Sequence, residues 1–69
     1  MSKLRELRLK NNMTQEDLAK KINVARTTVT SWENEMSKPP LDKAIKIARI
    51  LGTTVEELFD FKDTTELTR

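Results

Sequence analysis

Sixty-nine residues make one small domain, with no room for a second domain or a large pocket. The chain has no Cys and no His, so it forms no disulfide, offers no thiolate chemistry and leaves only carboxylates as metal ligands. The net charge of +2 is unevenly placed: residues 1–51 carry 11 basic and 6 acidic side chains, residues 52–69 carry 2 and 5, and the first end suits a polyanion. No long apolar run opens the chain, so neither a signal peptide nor a membrane span is expected, and the cytoplasm is the expected location. No cofactor is expected.

Gly and Pro are scarce and helical spacing dominates. The expected fold class is all-α, a compact five-helix domain over residues 1–61, with residues 62–69 as a short polar tail that frays. The first helix runs from about Ser2 to Asn11 with Leu4 and Leu7 inward, and Asn12 ends it in a left-handed conformation. Thr14 and Asp17 form a Thr-x-x-Asp variant of the capping box, which starts a second helix over Gln15 to Lys21. Leu18, Ala19 and Ile22 follow at helical spacing, and Asn23 makes the break.

The third helix spans about Arg26 to Asn34. Its β-branched run Thr27-Thr28-Val29-Thr30 would suit a strand, but a strand would put Val29 and Trp32 on opposite faces. As a helix it presents Arg, Thr and Ser outward, a surface suited to a base-pair edge and a phosphate. Between Asp17 and Glu33 every charge is positive, from Lys20, Lys21 and Arg26. Trp32, three residues after Val29, is expected in the core.

Glu35 to Pro40 form a loop, and Pro39-Pro40 exclude helix before Leu41. The fourth helix, Leu41 to Leu51, is expected to bury Leu41, Ala44, Ile45, Ala48 and Leu51, with Gly52 closing it. Thr54-x-x-Glu57 is a full capping box for a fifth helix carrying Val55, Leu58 and Phe59. Phe59 and Phe61 fall where the core is nearly complete; two exposed aromatics there suggest the seam of a homodimer, and the alternative, open above all for Phe59, is that they cover the domain's own core.

The segment Thr14 to Asn34 resembles the helix-turn-helix of the phage-repressor-like (Cro/C1-type) family of bacterial DNA-binding proteins. The resemblance rests on Gln15-x-x-Leu18-Ala19, the turn ending in Val24, Val29 and Trp32-Glu33-Asn34, and extends from about Leu4 to Phe59 through Pro39, Ala48, Leu51-Gly52 and Glu57-Leu58. It implies a sequence-specific regulator of transcription, most often a repressor. A homodimer would read a palindromic double-stranded operator with the third helix in the major groove. Gln15 then matches a phosphate contact, and Arg8 with Glu33 matches a structural salt bridge. Arg26, Thr27 and Ser31 lie on the outer face, opposite Val29, as base contacts. Arg26 suits guanine, the Thr methyl suits thymine, and Ala25 adds apolar contact. Thr28, Asn34 and Lys38 are the remaining expected phosphate contacts.

Three residues depart from the family pattern. Ala25 replaces a Ser or Thr cap, Glu35 replaces a Gly, and Pro40 replaces a Ser cap. Adjacent carboxylates such as Glu16-Asp17 point apart on a helix, no nucleophile has a base, and no Gly-rich loop exists, so no enzyme is expected. The competing reading is a protein-binding module resembling an antitoxin, which would lack salt-dependent affinity for duplex DNA. RNA binding is disfavoured, because the basic face has no aromatics on which bases could stack.

Overall fold

The computed structural model describes residues 2–59, and among them every regular element is a helix. In chain order these are α1 (Lys3–Lys10), α2 (Gln15–Ile22), α3 (Arg26–Glu33), α4 (Leu41–Leu51) and α5 (Val55–Leu58). Helix α2 packs on α3 and α4, α1 on α3 and α5, and α4 on α5. The expected all-α architecture is therefore the observed one.

The helix starts follow their side chains. The Ser2 hydroxyl accepts from Arg5 N at 3.2 Å and caps α1. At α2 both halves of the box form: Asp17 N donates to Thr14 Oγ1 at 3.0 Å, and Thr14 N donates to Asp17 Oδ2 at 2.9 Å. The box expected at α5 is only half formed. Glu57 N donates to Thr54 Oγ1 at 3.2 Å, and no bond returns from the Glu57 carboxylate. Ala25 and Pro40 give α3 and α4 no side-chain cap, as their lack of a hydroxyl requires.

The helix ends share one device. After each of α1 to α4 one residue takes a left-handed conformation: Asn12, Asn23, Glu35 and Gly52, with φ of 58°, 62°, 61° and 70°. The amide after each reaches back five residues. Met13 N donates to Arg8 O, Val24 N to Ala19 O, Met36 N to Ser31 O and Thr53 N to Ala48 O, all within 2.8–3.1 Å. This is the Schellman pairing, which satisfies carbonyls a helix end would otherwise leave open. Glu35 thus follows the path expected of a glycine despite its side chain. That conformation costs a residue with a Cβ about 1–2 kcal/mol.

The core gathers Leu4, Leu18, Ile22, Val29, Trp32, Ala44, Ile47, Ala48, Leu51 and Leu58. Two expectations for α4 fail. Leu41 is 64% exposed and Ile45 38% exposed, while Ile47, not expected inside, is fully buried. Ala44, Ile47, Ala48 and Leu51 form one stripe at three- and four-residue spacing, and Ile45 lies about 100° round the helix from Ala44. Leu41 occupies the first turn, on the flank of that stripe.

Phe59 also corrects the sequence reading. It is only 7% exposed and belongs to the core. Helix α5 has four residues, and the chain leaves it extended at Phe59 (φ −130°, ψ 134°). That exit carries the ring inward, where it borders the same groove as Leu4, Trp32 and Leu58. A domain of this size has little apolar area to spare, so the ring covers its own core. The seam expected at Phe59 is thereby lost, and Phe61 and the tail at residues 62–69 lie outside the described residues.

Phe59→Ala should therefore cost about 3–5 kcal/mol of stability, as other buried Phe truncations do. Urea denaturation will show this as a lower midpoint, and an unchanged midpoint would return Phe59 to the surface. The box at α2 adds a pH dependence. Hydrogen bonds from the Thr14 backbone, then its hydroxyl, hold the Asp17 carboxyl below its ordinary 3.8, with smaller help from Lys20 and Lys21. A depressed folded-state value stabilises the fold above the unfolded value and is lost as pH falls through the folded one. Wild type should thus lose its stability advantage over Asp17→Asn as the pH falls below the ordinary carboxylate range. An advantage constant with pH would show that the carboxylate's charge contributes nothing.

Candidate nucleic-acid interface

The site is built from α2 and α3, which pack directly on one another. Val29, Trp32 and Glu33 turn one side of α3 inward. At 100° per residue, Thr27 and Ser31 fall within about 20° of the point opposite Val29. Arg26 does not share that point; it lies about 60° from Val29 and is exposed because it occupies the first turn. This corrects its expected position opposite Val29 while leaving it open to solvent. Ala25 and Thr27 are exposed beside it, and Thr28, Thr30 and Ser31 are half-buried. The end of α3 facing outward thus carries Ala25, Arg26 and Thr27, where no side chain caps the helix.

The other expected contacts surround α3. Asn34 is exposed at its C-terminal end, and Lys38 is exposed in the following loop. Lys38 also borders the groove between α1, α3 and α5. Ser31 and Ser37 share a hydrogen bond of 2.9 Å, which ties that loop to the outer face of α3. Lys43 Nζ donates to Ile22 O at 3.0 Å, placing a cation at the C-terminal end of α2, where the helix dipole favours it.

Arg8 and Glu33 meet as expected. Arg8 Nε donates to Glu33 Oε2, and Arg8 Nη2 donates to Oε1 at 3.1 Å. Their side chains are 7% and 2% exposed, so this two-pronged pair is buried. Arg8 Nη1 also donates to Met13 O at 2.7 Å, which fixes the turn between α1 and α2. The acid that closes α3 is therefore neutralised inside, and the outer face keeps its positive sign.

Gln15 is half-buried and is engaged inside the protein. Its Nε2 donates to Glu33 Oε1 at 3.0 Å, and its Oε1 accepts from Thr30 Oγ1 at 2.8 Å. Gln15 therefore faces inward as well as toward the expected phosphate, and Thr30, which the family pattern does not single out, is its partner. The signal available was the spacing of Thr30 and Glu33, three apart on one flank of α3, opposite the first residue of α2.

Removing one partner of the buried pair should be far costlier than breaking a surface bridge. Glu33→Gln leaves a buried guanidinium without its counter-charge, and a loss of about 3–5 kcal/mol is expected. Chemical denaturation will measure it. A loss below about 1 kcal/mol, the scale of exposed pairs, would contradict burial.

Comparison with known proteins now bears on this arrangement. The family model described as Helix-turn-helix matches residues 4–58. An HTH-type transcriptional regulator of Archaeoglobus fulgidus is 45% identical over 62 residues, covering 90% of this chain and 89% of the relative. The cryptic phage CTXphi transcriptional repressor of Vibrio cholerae is 32% identical over 63 residues, covering 91% of this chain and 57% of its own. An HTH-type transcriptional activator of Enterococcus faecalis is 36% identical over 56 residues, covering 81% of this chain and 28% of its own. The pairing of α2 with α3 and the match over nearly the whole described fold lead to one conclusion: the chain belongs to the Cro/C1-type helix-turn-helix family of transcriptional regulators, which are DNA-binding proteins and not enzymes.

Proposed function

We propose that the protein is a sequence-specific regulator, acting as a repressor, that reads a palindromic double-stranded operator as a homodimer. The observation that supports this most is the keyed face of α3. Buried Glu33 and Val29 fix its rotation, and Ala25, Arg26, Thr27 and Ser31 are left on or beside its open side. In this reading α3 enters the major groove. Arg26 takes guanine O6 and N7, Ala25 and Thr27 meet thymine methyls, and Ser31 bonds a base edge. Gln15, Thr28, Asn34 and Lys38 hold phosphates and set the register. The repressor sense follows the Vibrio cholerae relative, and the activator named in Enterococcus faecalis marks the opposite outcome.

An eight-residue α3 offers few base contacts, too few to select one site in a genome. Two copies on a palindrome, with half-sites about 34 Å apart, double them and add a check on spacing. No helix among the described residues is long and apolar enough to cross a membrane. A cytoplasmic regulator fits that reading.

The test is a duplex selected from a random pool, titrated against salt with wild type and Arg26→Ala. Neutralising ~4–6 phosphates per dimer predicts a log–log slope of about −4 to −5. Arg26→Ala should lose about 1–3 kcal/mol per half-site on the selected duplex and relax one base pair in each. A flat slope rejects duplex binding. An equal loss on every sequence would make Arg26 a phosphate contact.

A further inference from the structure

Glu33 Oε1 accepts two hydrogen bonds, from Arg8 Nη2 at 3.1 Å and from Gln15 Nε2 at 3.0 Å. An ionised carboxylate only accepts, so the Gln15 amide must turn its nitrogen toward Glu33. Its oxygen therefore faces Thr30, whose hydroxyl donates at 2.8 Å. That hydroxyl has one hydrogen and a second acceptor, Arg26 O, at 3.2 Å. The shorter partner holds Thr30 to Gln15, and the longer is the usual reach of a helical Thr to the preceding turn. One end of the amide is thus fixed by a buried ion pair and the other by α3. Of its two N–H groups one is committed to Glu33, and the second remains on a half-buried side chain at the first residue of α2.

We propose that Thr30 is a positioning residue for DNA binding, which holds the Gln15 amide so that its second N–H meets a phosphate oxygen. This rests on the reading of the α2–α3 face as a duplex-binding surface. Arg8, Glu33, Gln15 and Thr30 then form a continuous relay from the buried ion pair to the phosphate. Thr30 itself touches no nucleotide. Its loss weakens binding only through Gln15, and equally on every sequence, because a phosphate carries no base identity.

The experiment compares wild type, Thr30→Val, Thr30→Ser, Gln15→Ala and the Gln15→Ala/Thr30→Val double variant. Each is titrated onto the selected duplex and an unrelated duplex, well below its own melting temperature. Thr30→Val should weaken both duplexes alike by about fivefold for each protomer bound, the worth of one ordinary hydrogen bond. Thr30→Ser keeps the hydroxyl and should restore wild-type affinity. In the Gln15→Ala background Thr30→Val should change nothing further. A full additional loss in that background, or a loss confined to one sequence, would make Thr30 a contact in its own right and overturn the proposal. No loss at all would overturn it too. The unfolding constants of the same set separate the two layers. A wild type that binds no duplex rejects the surface and with it the role of Thr30. Coupling of about fivefold between Gln15 and Thr30 in unfolding would still show the relay in the free protein.

Discussion

The Glu33 carboxylate is the group on which the rotation of α3's open face most depends. It is almost fully enclosed and receives α1 through Arg8 and α2 through Gln15. Arg8 at the same time holds the turn between those helices through Met13 O. A buried acid is tolerated only where such partners reach it, and they reach it only when α3 is rotated to present it. The pair's contribution is therefore orientation more than net stability. Val29 and Trp32 would pack over a range of rotations; a carboxylate with three fixed donors permits one.

The same arrangement shapes the field. Glu33 is inside and Asp17 is bonded at the start of α2, while Glu16 stands 4.0 Å from Lys20 in an exposed pair of small energetic weight. The first turn of α3 has no acid, and Arg26 stands there unopposed along its own helix. Burying one acid and capping with another lets a chain with a modest net charge show a polyanion a positive surface.

What could be read from the sequence was what depends on near neighbours. Thr14 with Asp17, the left-handed Asn12 and the break at Asn23 are decided by side chains within one turn, and each appears as expected. The α2–α3 pair and its open residues were legible because the turn between them is short. The Arg8–Glu33 pair, twenty-five positions apart, was legible only through the family resemblance. The phase of α4 was not. Its apolar residues at 41, 44, 45, 47, 48, 50 and 51 exceed one face, and only the packing of α2 and α5 selects Ile47 over Ile45. Phe59 failed for a related reason: an aromatic after a short helix serves a partner or its own core, and local pattern does not distinguish them. The Thr30–Gln15 bond joins two helices through neutral side chains, and its one trace in the sequence is the three-residue spacing of Thr30 and Glu33 on a flank of α3.

The four left-handed closures carry a consequence for how this domain could change. Gly52 has open space where a Cβ would stand, so only its backbone angle favours glycine there. At Asn12, Asn23 and Glu35 the same angle is held by residues that resist it, Glu35 most of all. Enlarging the side chains of a packed core forces them off their rotamers. The three bends are not optimised. Evolution or design could make this domain hardier by substituting glycine there, without altering a core side chain or the exposed residues of α3.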